Sequence, residues 1–304
     1  MREDRLVENP WSKWEDKADP HVPTGTLQIY NDIGRLLKKE DAPNVLRASM
    51  ATMCPKRRQY TANGEEGTPL TPRKLINFML GHLTEKTLQF FIKKGCVGDG
   101  KLYKEVRFGD VIGSFKYQDE DIELYDQPEW GFDIKAAEKL LHISAHPDGV
   151  GLRNADNKWE LIEIKSAANW GFKQFKEEGA GDYLKQAHAC MMCDEAKELG
   201  VDSVRFWYMR KETGHVWDIV HDYDNALGLE VVSNYIDSVS SVAIASPHGL
   251  VSEMTGRGSA KRPTGKKIAK FPCTYCPYLE KCHGKFKLEW KGDQWGNQKP
   301  MYVF

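Results

Sequence analysis

Apolar positions change their period several times along the 304-residue chain, and each change predicts an element. Residues 1–45 are polar, proline-punctuated and weakly periodic, which predicts an irregular N-terminal arm. Thr71-Pro72 then opens a helix, with Thr as N-cap and Pro at the first helical position. Leu75, Ile76, Met79, Leu80 and Leu83 recur at helical spacing and predict its buried stripe. Phe78, His82, Glu85 and Gln89 follow a second line at i, i+4, i+7 and i+11, so His82 and Glu85 can share a face. Strand-like runs follow at 101–108, 140–150 and 159–166. Between the first two lies 118–133, with seven acidic residues and no basic one, which reads as a solvated loop. Residues 182–199 read as a helix closed by Gly200, 203–210 and 215–221 as a hairpin around Thr213-Gly214, and 223–245 as a last helix. The order predicts an α/β core over 46–245, a mixed central sheet flanked by helices, followed by a terminal segment at 246–304.

Composition narrows the function classes. Lys and Arg number 43 against 44 Asp and Glu, so a chain of formal charge -1 needs a local patch to bind DNA. Nine Trp, twelve Tyr and twelve Phe supply ample core and argue against disorder. No run approaches the roughly 18 apolar residues of a transmembrane helix, and Met1-Arg2-Glu3-Asp4-Arg5 does not open a signal peptide. A cytoplasmic protein without a membrane partner is therefore expected, in the host cytoplasm if the chain is phage-encoded. Seven cysteines, an odd number, point to metal or buried thiols over a disulfide framework.

The most informative stretch is His146-Pro147-Asp148-Gly149-Val150, followed by Trp159-Glu160-Leu161-Ile162-Glu163-Ile164-Lys165. Asp148 and Glu163 are 15 positions apart, which suits adjacent strands joined by a short turn at 154–158. Glu163 and Lys165 point to one face of a strand that is otherwise apolar. Burying that pair demands compensation, and two carboxylates suit a hard cation such as Mg²⁺ or Mn²⁺. A surface strand with an incidental Glu-x-Lys pair is the plainer reading of the same residues.

An Asp…Glu-x-Lys pattern after a helix bearing Gly81-His82 resembles the PD-(D/E)xK nucleases, in their RecB-like branch. The resemblance covers roughly residues 46–285 and implies a restriction-endonuclease-like core. It assigns a Mg²⁺ or Mn²⁺ ion to His82, Asp148, Glu163 and Ile164, with Glu85 as a reserve ligand. It makes Lys165 the group that orients water or neutralises charge. Gln186 matches a Gln that contacts the catalytic centre, although Cys190 stands where the family carries Tyr. The implied activity is DNA exonuclease, in phage recombination, DNA repair or CRISPR adaptation, on single-stranded or end-containing double-stranded DNA. A homo-oligomer or a recombination or adaptation partner protein would accord with it. A structure-selective endonuclease and a non-catalytic DNA-binding module are the alternatives.

Cys273, Cys276 and Cys282 offer three thiolates and need a fourth ligand, and Cys54 stands alone upstream. One cysteine before the core and three after it resembles the iron–sulfur arrangement of RecB-type nucleases, AddB-like, and implies a [4Fe–4S] cluster; the same soft donors admit zinc. Zinc could instead pair Cys190 and Cys193 with Cys273 and Cys276. Cys54 and Cys273 are 219 positions apart, so such a crosslink removes about 5 kcal/mol of unfolded-chain entropy. Arg257, Lys261, Arg262, Lys266, Lys267 and Lys270 form an acid-free run, and Arg57 and Arg58 follow Cys54; these bases are candidates for phosphate contacts or, over 257–270, a solvated linker. Thr264-Gly265-Lys266-Lys267 only superficially resembles a phosphate-binding loop, because Ala260 and Lys267 stand where Gly and Ser or Thr are needed.

Overall fold

The run at 159–165 carries apolar side chains on both faces, and a strand built that way has to be covered twice. The computed structural model does so; it describes residues 6–10, 21–36, 44–68, 70–136, 138–239, 249–255, 261–269, 273, 276–292 and 298–303. In chain order the elements are β1 (Leu6–Glu8), β2 (His21–Pro23), α1 (Thr24–Leu36), β3 (Val45–Arg47), α2 (Pro55–Ala62), α3 (Pro72–Cys96), β4 (Tyr103–Arg107), β5 (Val111–Tyr117), β6 (Glu120–Tyr125), β7 (Trp130–Ala136), β8 (Lys139–Ala145), β9 (Gly149–Arg153) and β10 (Trp159–Ala167). There follow α4 (Asn169–Glu178), α5 (Tyr183–Met191), α6 (Asp194–Leu199), β11 (Val201–Arg210), β12 (Val216–Asp222), α7 (Asn225–Ser238), β13 (Leu250–Thr255), β14 (Arg262–Ala269), α8 (Leu279–His283), β15 (Lys287–Gly292) and β16 (Gln298–Val303).

The central sheet runs β12-β11-β10-β9-β4, mixed because β10 pairs parallel with β11 and antiparallel with β9. Ile162 and Ile164 of β10 pack with Leu88 and Ile92 of α3 on one face. Leu161, on the opposite face, joins the larger core with Phe172, Phe175, Ala187 and Val231 from α4, α5 and α7. A second sheet, β3-β8-β7, adds Leu46, Leu141 and Ile143 to that core. Among the described residues no helix is long and apolar enough to cross a membrane.

Several elements differ from the periodicity reading. The N-terminal segment contains a 13-residue helix, α1, which lies against α3. The stripe predicted as core on α3 is half in solvent, with Met79, Leu80 and Leu83 each at least 40% exposed. Leu75 is buried at the start of the helix, and burial resumes at Glu85, Lys86, Leu88 and Gln89, where the helix meets the sheet. The acidic run at 118–133 is a hairpin strand, β6, and the start of β7. Ile122 and Tyr125 are buried where the hairpin lies against α3, and Ile122 alone contributes about 1.5–3 kcal/mol; Glu120 and Asp121 stay exposed, and Glu123 accepts from Tyr125 Oη and Lys93. The helix expected over 182–199 breaks at Cys193, whose extended backbone separates α5 from α6. The basic segment is not a plain linker either. Lys261 leads into β14, which pairs with β13 and leaves Arg262, Lys266 and Lys267 exposed; Arg257 and Lys270 lie outside the described residues.

Candidate active site

Strand β9 stops at Gly149, and Pro147 just before it cannot donate to a ladder, so β10 runs on past its last antiparallel pair, Ile162 with Gly149. The Ile164 N–H beyond that pair is taken instead by the Asp148 side chain, at 2.5 Å to Oδ2. Gly149 is required here: a Cβ on it would stand 2.4 Å from the Phe108 ring and 3.0 Å from the Arg107 carbonyl. The Asp148 carbonyl in turn accepts from Gln89 Nε2 of α3, at 2.6 Å. Backbone and helix thereby fix Asp148 against the middle of β10.

Glu163 is 1% exposed on the face that carries Leu161 and Lys165. Its Oε2 accepts from Lys165 Nζ at 2.5 Å, while Oε1 is buried with no hydrogen-bond partner. Lys165 Nζ also lies 5.4 Å from the centre of the Tyr183 ring. From α3, Glu85 accepts from Lys86 Nζ at 2.8 Å and faces His82 Nδ1 at 3.4 Å. His82 itself is 63% exposed by side chain, so Glu85 is the α3 residue nearer the buried carboxylates. A residue not singled out in the sequence completes the cluster. Gln127, between β6 and β7, donates Nε2 to Asp148 Oδ1 at 2.6 Å and to Glu85 Oε1 at 3.2 Å. It sits in the acidic run and has no spacing signature.

The charges shift one another. Burial pushes the Asp148 carboxyl well above its ordinary range, and the charges of Glu85 and Glu163 push it further; Lys165 and the Ile164 amide oppose. Burial also raises Glu85, but His82 and Lys86 outweigh it and hold that carboxyl below its usual value. Burial works against the Lys165 ammonium, yet Glu163 and Asp148 prevail and hold it protonated, with its pKa above the usual lysine range.

Gln186 is half-buried on α5 between Tyr183, which approaches Lys165, and Cys190, whose thiol feels Glu163 and Asp148. Positions i, i+3 and i+7 share a helix face, so Gln186 lies on the face turned toward the site. Burial drives the Cys190 thiol well above its ordinary range and Cys193 up to about 12, so neither is a ready thiolate.

Of the remaining five cysteines, Cys96 packs in the smaller core at the end of α3, and the other four lie where the two ends of the chain come together. Cys54 precedes α2, and α8 docks on that helix. Thr68 N donates to the Pro277 carbonyl at 2.8 Å, Tyr278 Oη donates to the Glu65 carbonyl at 3.2 Å, and Lys281 pairs with Glu65. Burial raises the Cys276 thiol, and the charges of Cys54 and Cys282 add to the rise. Cys273 is buried, 3.9 Å from His283 Nε2. Cys190 and Cys193 lie in the main core, so a zinc site joining them to Cys273 and Cys276 has no support from this arrangement. Arg58 corrects another expectation. It is 2% exposed and spends its guanidinium on Ser238 Oγ and the carbonyls of Ala51 and Met53, so it cannot reach a phosphate. Arg57 is half-buried near Cys276.

Among the described residues no three His, Cys, Asp or Glu side chains stand close enough together to hold a metal ion as they are. The donor chemistry nonetheless fits two different ions. Hard carboxylate oxygens, one of them orphaned, surround Asp148 and Glu163, and soft thiols gather beside α2.

The chain matches no protein-family model and no curated protein. Among solved structures it is similar to the crystal structure of SSO0001, at 13% identity over 84% of this chain and 94% of that one, with a TM-score of 0.45. It is also similar to an alkaline exonuclease (LHK-Exo) from Laribacter hongkongensis, at 16% identity over 64% of this chain and 86% of that one, with a TM-score of 0.35. The complex of LHK-Exo with dAMP gives 15% identity, the same coverage and a TM-score of 0.32. Likeness at this level carries no residue role, ligand or activity over to this chain.

Proposed function

We propose that the protein is a Mg²⁺- or Mn²⁺-dependent deoxyribonuclease that removes nucleotides from DNA ends. The observation that carries this reading is the unpartnered Oε1 of a fully buried Glu163, next to a buried Asp148 and a buried ammonium. An orphaned carboxylate oxygen in a dry site is costly unless a cation completes it. Asp148 and Glu163 would hold that cation with the Ile164 carbonyl, and α3 would add Glu85, with His82 behind it. When bound, it supplies positive charge at the phosphate and a more acidic water.

The chain's own groups then divide the work. Lys165 stays protonated, so it acts as a donor and a positive charge toward the phosphate, not as a base. Glu163 Oε2 holds it in place. Tyr183 and Gln186 line the approach from α5. Lys261, Arg262, Lys266 and Lys267 offer sequence-independent phosphate contacts along β13 and β14. Cys54, Cys273, Cys276 and Cys282 would hold a [4Fe–4S] cluster, whose role is to join α2 to α8; zinc is the competing occupant.

The test is digestion of end-labelled linear and closed circular DNA, single- and double-stranded, with Mg²⁺, Mn²⁺ or chelator. Linear DNA should shorten from its ends, circles should survive, and chelator should stop the reaction. Nicked or linearised circles would make the enzyme an endonuclease. No cleavage of any substrate with either metal would overturn the nuclease reading.

A further inference from the structure

In the cluster just described, nearly every carboxylate oxygen already has a donor. Asp148 Oδ2 has the Ile164 amide, Glu85 Oε1 has Lys86, and Glu85 Oε2 faces His82. The link between the two carboxylates is a single amide group, Gln127 Nε2, which reaches Asp148 Oδ1 and Glu85 Oε1 at once. Its two N–H bonds stand where a cation shared by Asp148 and Glu85 would have to draw both oxygens to itself. The backbone keeps it there. Gly109 N donates to the Asp126 carbonyl at 3.1 Å, and Asp126 N donates to the Asp110 carbonyl at 2.8 Å, closing the base of the β5–β6 hairpin. A Cβ on Gly109 would meet that Asp126 carbonyl at 2.6 Å, so the base closes only with glycine there. Gln127 follows directly, its own N–H tied to Asp126 Oδ1 at 2.8 Å.

We propose that Gln127 is a built-in occupant of the metal site, an amide that satisfies Asp148 and Glu85 in the metal-free enzyme and must be displaced when the cation enters. The proposal rests on the metal-dependent reading above. Gln127 is uncharged, so it satisfies both carboxylates without the binding strength of a lysine or arginine, and it leaves more readily than either. It therefore competes with the cation and lowers its affinity, while holding the metal-free pocket open at a fixed width.

The test is Mn²⁺ binding without DNA, followed by the electron paramagnetic resonance of free Mn²⁺, on wild type, Gln127→Leu, Gln127→Met and Asp148→Asn. Both Gln127 variants should bind Mn²⁺ more tightly, by about tenfold, the scale of one lost hydrogen bond to a charged group. In wild type, the side-chain amide signals of Gln127, identified by their loss in Gln127→Leu, should shift and exchange faster with water on adding Mg²⁺. Unchanged or weaker Mn²⁺ binding in the folded variants, or amide signals indifferent to Mg²⁺, would overturn the proposal. Wild type that binds no Mn²⁺, or binds it as well after Asp148→Asn, would overturn the metal-dependent reading itself and this proposal with it.

Discussion

Asp148 is the most strongly perturbed carboxylate of the proposed site, and its protonation has a stability signature. Its pKa in the folded protein lies above that of an unfolded chain, so the ionised native form is the penalised one. The penalty is complete above the folded pKa, shrinks as pH falls through it, and is gone below the unfolded value of about 3.9. The melting-point difference between metal-free wild type and Asp148→Asn should therefore move in favour of wild type as pH falls from 8 to 4, on top of a constant cost for the acceptor that Asn lacks. In a chain of this size, about 1 kcal/mol corresponds to roughly 2–4 °C. The same variant should lose at least about a hundredfold in cleavage, as should Glu163→Gln and Lys165→Ala. A stable Asp148→Asn enzyme that still cuts with Mg²⁺ would remove this residue from the site. Metal affinity should climb with pH while Asp148 is being deprotonated and level off above its folded pKa, because proton and cation compete for one carboxylate. Calorimetric titrations at several pH values would show it.

At the scale of elements, β10 explains both what the sequence made legible and what it hid. Asp148, Glu163 and Lys165 lie within 18 consecutive residues, and local alternation is enough to put them on neighbouring strands. Glu85 entered as a reserve ligand through the resemblance to RecB-like nucleases, and helical spacing carries it to the face of Gln89. Gln127 could not, since its place depends on a hairpin closing at Gly109 and Asp126, a contact between segments that no local period encodes. The acid run misled for a related reason: a count of charges says nothing of Ile122 and Tyr125, which the same run buries. The stripe on the first turns of α3 misled because helical period reports amphipathicity, not where the sheet ends.

The opposite face of β10 carries Glu160, fully buried, which accepts from Tyr103 Oη at 2.6 Å and from Arg205 Nε at 2.7 Å. This cluster clamps β4, β10 and β11 on the face opposite Glu163 and Lys165. Glu160→Ala should destabilise the fold by about 3 kcal/mol, because Arg205 loses its buried partner. Urea unfolding would measure it. If stability is unchanged, the clamp has no energetic role.

For the molecule as a whole, the decisive contact joins α2 to α8. Serine at Cys54, Cys276 or Cys282 should each cost the bound metal and loosen this contact, with faster proteolysis near α8, whereas Cys190→Ala should leave metal content unchanged and cost about 1 kcal/mol of packing. Anaerobic protein should be brown, with about four irons per chain if the [4Fe–4S] assignment holds. Colourless protein with one zinc would replace the iron cluster with zinc on the same thiols. Metal loss at Cys190 with retention at Cys54 would show that the wrong thiols were chosen.

The docking of α8 on α2 also sets a clock during synthesis. Thr61 and Tyr278 meet 3.2 Å apart across 217 positions of chain. At translation rates of about 5–20 residues per second, α2 waits roughly 10–40 s with Tyr60, Thr61 and the Cys54 thiol uncovered before their partners leave the ribosome. For that interval the growing chain presents an open thiol and a bare Tyr60 ring, and residues 46–245 emerge before either can be covered. A ribosome-stalled chain ending near residue 245 should accordingly label at Cys54 with a thiol reagent faster than the released full-length protein, where Cys54 is only half-exposed.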